Sequence, residues 1–132
     1  MPGPPTFGHS LAPGADAQAV AEVLDRIESY ARRGGLVSPT LDRVVIVTGE
    51  LISNVAEHGR TSISLSWTPV GQGGRLDVHG GTEVGLAAIV GSNLPDAAST
   101  RGRGLFLIRE LSDEIVETAT GLRVAFERRV GE

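Results

Sequence analysis

Residues 41–59, LDRVVIVTGELISNVAEHG, carry the most apolar helical pattern in the chain and decide its fold. At about 100° per residue, an α-helix gathers side chains that are three and four apart on one side. The apolar members of that side are Val44, Val47, Leu51 and Val55. The pattern predicts a buried helix of about twenty residues, with Ser38 as its N-cap, Pro39 at its first position and Gly59 after its end.

Two polar side chains lie at the edge of this apolar face. Glu50 and Asn54 are four residues apart, so a helix places them one turn from each other and about 40° apart around its axis. An amide oxygen can ligate a hard divalent cation, and a carboxylate can accept a proton. The pair therefore fits a metal-nucleotide site, although a solvated helix face explains the same spacing more often.

A second pattern lies at residues 101–115, RGRGLFLIRELSDEI. Gly102 and Gly104 precede an apolar pattern of helical spacing that starts at Leu105. Exposed backbone amides at the start of such a helix would face an anion. A G-x-G that opens a helix is also explained by a simple turn or by close packing.

The two patterns together resemble a known family. Residues 50–59, ELISNVAEHG, resemble the N box of the GHKL ATPase superfamily, in the form found in small bacterial anti-sigma factors that are serine protein kinases. Residues 102–109, GRGLFLIR, resemble the G2 box of the same kinases. The resemblance spans roughly residues 6–130. It implies that Asn54 holds Mg²⁺ against the triphosphate of ATP and that Glu50 is the catalytic base.

The same resemblance implies a set of nucleotide-binding residues and regulatory partners. The residues of this set are Asn54, His58, Gly102, Arg103, Gly104 and Leu105. ATP and Mg²⁺ are the implied cofactors. A sigma factor, an anti-sigma-factor antagonist or both are the implied partners, and the oligomeric state is left open, with a homodimer as one possibility.

The chain departs from the family at the box that reads adenine. The family has D-x-G-x-G after a strand, whereas residues 77–85 read DVHGGTEVG. If the strand is aligned on its apolar residues, Gly80 occupies the position of the family's Asp, and if it slips, Asp77 could serve. The alternative explanation, which we prefer, makes Asp77 a strand residue that faces solvent.

The remaining patterns predict one domain over residues 1–132, frayed at residues 1–5. They comprise an edge strand at 6–11, a helix at 15–33, a hairpin with strands at 62–68 and 76–79 around a turn at 71–74, and a closing hairpin with strands at 115–119 and 122–127 around Gly121. With the resemblance, they predict an α/β sandwich of the Bergerat type. It has a mixed sheet of four or five strands with helices on one face.

Composition excludes several classes of function. The 132 residues carry a net charge of -4, so the concentrated basic surface that nucleic-acid binding requires is not expected. The chain has no Cys and three His, which excludes disulfides and thiolate metal sites. No apolar run reaches the roughly 18 residues that span a bilayer, so we expect no membrane association and a cytoplasmic location.

Three functions fit these patterns. The first is an ATP-dependent serine protein kinase of the anti-sigma type, which regulates transcription by phosphorylating an anti-sigma-factor antagonist. The second is a binding module, an anti-sigma factor or adaptor that has lost effective use of ATP, as the altered adenine box suggests. The third is the detached ATP-binding domain of a sensor histidine kinase.

Overall fold

The computed structural model describes residues 7–12, 14–58, 62–80 and 107–128. In chain order, the elements are β1 (Phe7–Leu11), α1 (Ala17–Arg33), α2 (Thr40–His58), β2 (Ile63–Val70), β3 (Gly73–His79), β4 (Glu114–Glu117) and β5 (Gly121–Phe126). Residues 107–111 are also helical. In this part of the chain, no helix is long and apolar enough to cross a membrane.

The five strands form one sheet in the order β1-β2-β3-β5-β4. The predicted edge strand and the two predicted hairpins are confirmed, and the fold is α+β. Each of the four described strand pairs is antiparallel, so the expectation of a mixed sheet is wrong for these strands. Short turns join β2 to β3 and β4 to β5, and a short turn can only connect antiparallel neighbours.

One face of the sheet packs against the helices, as predicted. Side chains of β2 alternate, with Ile63, Leu65 and Trp67 each 1% exposed and Ser64 exposed between them. The buried side chains of β3 and β5 join the same cluster as those of α1 and α2. Because successive strand residues point to opposite faces, the other face carries the polar residues of each strand.

Local signals explain the bounds of α1. The Asp16 carboxylate accepts a hydrogen bond of 2.8 Å from the Ala19 backbone N–H, which caps the start of the helix. The helix ends at Gly34 and Gly35, where Gly35 has φ +98°. Its buried residues are Val23, Ile27 and Ala31.

The start of α2 differs from the prediction. The helix begins at Thr40, and residues 38–39 lie in a turn before it. The Ser38 hydroxyl donates to the Asp42 carboxylate at 3.0 Å instead of accepting a backbone N–H. Ser38 is therefore not the N-cap, because an N-cap side chain must accept a bond from the first turn of the backbone.

Two glycine-rich segments that we assigned to turns lie inside strands. Gly73 and Gly74 pair with Val70 and Pro69, so the turn consists of residues 71–72 alone. A Cβ at Gly74 would lie 2.2 Å from the Trp67 ring. Glycine is thus required at position 74 because the indole ring packs against it. The prediction of a turn at Gly73 and Gly74 is wrong, since glycine occurs both in turns and at such close contacts.

Gly121 is the second such case. It lies in β5 and pairs with His79 of β3, so it does not form the turn. A Cβ at Gly121 would lie 1.9 Å from the Val78 carbonyl oxygen. The turn precedes it, closed by a hydrogen bond of 3.0 Å from the Thr118 N–H to the Gly121 carbonyl.

Candidate functional site

The predicted catalytic pair lies on α2. Glu50 and Asn54 are both half-buried, and each adjoins fully buried apolar residues of the same helix, Leu51 and Val55. This is the exposure that their angular position at the edge of the apolar face predicts. The helix therefore presents a carboxylate and a carboxamide one turn apart at the margin of the core.

Neither side chain has a hydrogen bond or an ion pair within the described residues. Half-buried polar groups lose part of their hydration, and most of them recover it through a protein partner or ordered water. Glu50 and Asn54 are therefore available to bind a ligand or a cation. Their roles as base and as Mg²⁺ ligand stay predictions.

Arg43 lies on the same flank of α2, two helical turns before Glu50. It is 8% exposed, and its guanidinium donates four hydrogen bonds. The acceptors are the Leu111 carbonyl at 3.0 Å, the Asp113 carboxylate at 3.1 Å, the Thr40 hydroxyl at 3.2 Å and the Glu127 carbonyl at 2.8 Å.

These bonds tie three separate parts of the chain together. Arg43 in α2 bonds to Leu111 and Asp113, which lie just before β4, and to Glu127, the residue after β5. Ile108 in that helical segment is fully buried. Arg43 is not among the residues predicted from the sequence, although its seven-residue spacing from Glu50 places it on the flank that carries the predicted site.

Asp77 is buried on the opposite face of the sheet. Leu76 and Val78 point into the core, so Asp77 between them points away from the helices. Its carboxylate accepts a hydrogen bond of 2.8 Å from Arg123 Nε and forms an ion pair of 3.3 Å with Arg75 Nε. The interpretation of Asp77 as solvent-facing is wrong because two arginines cover it and leave it 8% exposed. An adenine-binding role for Asp77 stays a prediction. In the structure its carboxylate already contacts Arg123 and Arg75.

Gly80 follows β3, and it is the residue that takes the place of the family's Asp when the strand is aligned on Leu76 and Val78. Its φ is +98°, a value that residues with a side chain rarely adopt. A Cβ there would also lie 3.1 Å from the Ser62 carbonyl oxygen. The backbone at this point therefore disfavours Asp, and it is held by a hydrogen bond of 2.7 Å from the Gly80 N–H to the Thr120 carbonyl.

Other predicted site residues lie outside the described residues. These are Gly102, Arg103, Gly104, Leu105 and the side chain of His58. In the described part of the chain, no group of three or more His, Asp or Glu side chains could hold a metal ion. A cation held by Asn54 would therefore need further oxygen ligands from a nucleotide or from water.

Comparison with known proteins gives one family. The family model described as histidine kinase-like ATPase domain matches residues 14–127. The match takes in both helices and the strands β2 to β5. No curated protein matches the chain.

Proposed function

The chain belongs to the histidine kinase-like ATPase domain family, and on that premise we propose that it is an ATP-dependent serine protein kinase of the anti-sigma type. The observation that carries the proposal is the pair Glu50 and Asn54. Both are half-buried on one flank of α2, and neither is bonded within the described residues. A solvated helix face would leave such residues exposed, and a structural role would give them protein partners.

Asn54 fits a place beside a cation on the phosphates of ATP. Its carboxamide oxygen is a hard ligand, and no described side chain competes for it. Bound ATP and Mg²⁺ would supply the phosphoryl group and the neutralisation of its charge. The Gly102–Leu105 segment, which directly precedes the helical residues 107–111 in sequence, would supply backbone N–H groups to the phosphates.

Glu50 fits the role of general base. It lies one turn before Asn54 on the same flank, so a serine hydroxyl that approaches the nucleotide phosphates would pass near its carboxylate. Glu50 would accept the hydroxyl proton as the serine oxygen becomes the nucleophile. The serine would belong to an anti-sigma-factor antagonist, and the chain would bind that protein or a sigma factor in the cytoplasm, as a monomer or a homodimer.

One observation favours a second function, a binding module without effective use of ATP. When the strand is aligned on Leu76 and Val78, Gly80 takes the place of the carboxylate that reads adenine in the family, and its positive φ disfavours an Asp there. Without that acceptor, the adenine amino group would lose a hydrogen bond worth about 1.5–3 kcal/mol for a charged partner. Such a module would keep the surface that binds its protein partner.

Calorimetric titration with ATP, in the presence and absence of Mg²⁺, separates the two functions. The kinase proposal expects saturable binding that weakens strongly when Mg²⁺ is removed. Transfer of phosphate to a serine of the cognate antagonist, measured with radiolabelled ATP, is the second part of the test. Absence of both ATP binding and transfer would overturn the kinase proposal and leave the binding module.

A further inference from the structure

A cleft of about 460 Å³ lies at the end of the sheet where β2 turns into β3. Its walls come from the β2–β3 turn, the start of β4 and the end of β5. The charged residues that line it are Arg75, Arg123, Arg128, Glu114 and Glu127. The cleft is separate from Glu50 and Asn54, because Arg75, Arg123 and Ala125 alternate with buried Leu76 and Val124 and point to the face opposite the helices.

Two of the lining arginines are held by one buried carboxylate beneath them. Arg75 Nε lies 3.3 Å from one oxygen of Asp77, and Arg123 Nε lies 2.8 Å from the other. Asp77 does not itself line the cleft, and its side chain is 12% exposed. The Asp77 carboxylate accepts a hydrogen bond from Arg123 Nε and forms an ion pair with Arg75 Nε, which has no hydrogen bond within the described residues.

The terminal nitrogens of these two guanidinium groups have no hydrogen bond within the described residues. Each guanidinium has five N–H donors in a rigid planar fork, and the only one of them that is hydrogen-bonded to Asp77 is the Arg123 Nε–H. Both side chains keep substantial exposure, 40% for Arg75 and 44% for Arg123. Arginine forks of this kind match the paired oxygens of a phosphate or a carboxylate.

The other walls of the cleft suit a small ligand. Arg128 adds a third guanidinium, which donates to the neutral Gln72 side-chain oxygen at 3.1 Å. Gly73 and Ala125 contribute little side-chain volume, and Val70 is 53% exposed beside them. Glu114 and Glu127 are exposed at the same cleft, so a long polyanion would meet more repulsion than a single compact anion.

We propose that this cleft is a second binding site, which takes a compact oxyanion, a phosphate or carboxylate group, between Arg75 and Arg123. The two arginines would donate their terminal N–H groups to its oxygens, and Asp77 would hold them in place. The site goes beyond the proposed kinase activity and uses none of the residues assigned to that activity.

Trp67 offers a direct way to test the site. It is the single Trp of the chain, and its ring lies against Gly74 at the wall of the cleft. The experiment titrates the protein with inorganic phosphate and, separately, with succinate at constant ionic strength, and follows Trp fluorescence. The stronger of the two responses identifies the source of the oxyanion, and saturation by at least one of them is the expected result.

Three variants connect the response to the cleft. Arg75→Gln and Arg123→Gln should each weaken binding by about tenfold or more, since each removes bonds to a charged acceptor. Arg26→Gln is the matched control, because it makes the same charge change on an exposed residue of α1 and should leave binding unchanged. Glu114→Gln removes a repelling charge and should tighten binding by about two- to fivefold.

Arg123→Gln could unfold the protein, because it leaves the buried Asp77 carboxylate without this partner. In that case the Glu114→Gln variant, which keeps both arginines, still tests the site. Asn54→Ala should leave the phosphate response unchanged, and an effect there would assign the anion to the candidate nucleotide site instead. The proposal is overturned by absence of saturation with both anions, or by a response that the arginine and Glu114 variants do not alter. The results with the Arg75, Arg123 and Glu114 variants do not bear on Mg-ATP binding, so the two proposals fail separately.

Discussion

Polar side chains at two places on one flank of α2 differ in their bonding to the rest of the protein. Arg43, near the start of the helix, donates to four acceptors from three parts of the chain and is 8% exposed. Glu50 and Asn54, farther along, are half-buried and have no partner within the described residues. The same helical face thus carries one polar group that is bonded to the protein and two that are not.

The difference separates a structural role from a binding role. Arg43 stabilises the fold because its bonds satisfy two backbone carbonyls and a carboxylate that would otherwise lose hydration. Glu50 and Asn54 contribute no such bonds, so their presence at a half-buried position adds little to stability. Under the proposed function, these two residues would bind the nucleotide and its cation.

Removal of Arg43 should give the largest effect on stability. Arg43→Ala leaves the Leu111 and Glu127 carbonyls and the Asp113 carboxylate without this donor, at a cost of about 3–5 kcal/mol of unfolding free energy. Urea denaturation measures it, with the exposed Arg26→Ala as control. A loss below about 1 kcal/mol, typical of exposed ion pairs, would remove the contrast with Glu50 and Asn54.

Replacement of Glu50 should act on turnover and leave stability almost unchanged. Glu50→Ala removes the proposed base, so phosphate transfer to a serine substrate should fall by about 10² or more. The free energy of unfolding should change by less than about 0.5 kcal/mol, because no described bond is lost. Quench-flow assay and urea denaturation give the two values, and Glu57→Ala, an exposed neighbour on the same helix, is the matched control. Transfer at full rate in Glu50→Ala would exclude the role.

Replacement of Asn54 should lower the affinity for Mg-ATP. Asn54→Ala removes the proposed Mg²⁺ ligand, and a loss of about tenfold or more is expected, as for changes around a metal site. The measurement is a calorimetric titration, compared with nucleotide binding in EDTA, where wild type and variant should converge. Unchanged Mg-ATP affinity would remove Asn54 from the site.

The smallest expected effect concerns Thr48, a polar residue on the buried side of the same helix. It is fully buried, and its hydroxyl has no hydrogen-bond partner among the residues that the structure describes. Thr48→Val keeps the shape and removes the unsatisfied group, so the unfolding free energy should rise by about 0.5–1 kcal/mol. Thermal denaturation detects a change of this size, with Thr48→Ser, which keeps the hydroxyl, as control. A destabilised valine variant would mean that the hydroxyl has a function in the helix.

Much of the fold follows from local pattern, and the errors have identifiable causes. The periodicity of α1 and α2 and the alternation of the strands predicted every described element, because burial of one face imposes a repeat on the sequence. Gly73, Gly74 and Gly121 were assigned to turns, since nothing in the sequence distinguishes a glycine that makes a turn from one that admits a neighbouring chain. Ser38 failed as an N-cap because its hydroxyl found a competing acceptor in Asp42.

The sequence by itself determined the helix that carries Glu50 and Asn54 and their position at the edge of the core, because helical periodicity depends only on the order of residues. Tertiary structure decided which polar groups are satisfied. Asp77 is buried because it forms ion pairs with Arg75 in its own strand and with Arg123 in the neighbouring strand. Arg43 is buried because it donates to acceptors that are distant in sequence. The energy of a buried charge depends on partners that only folding brings within bonding distance.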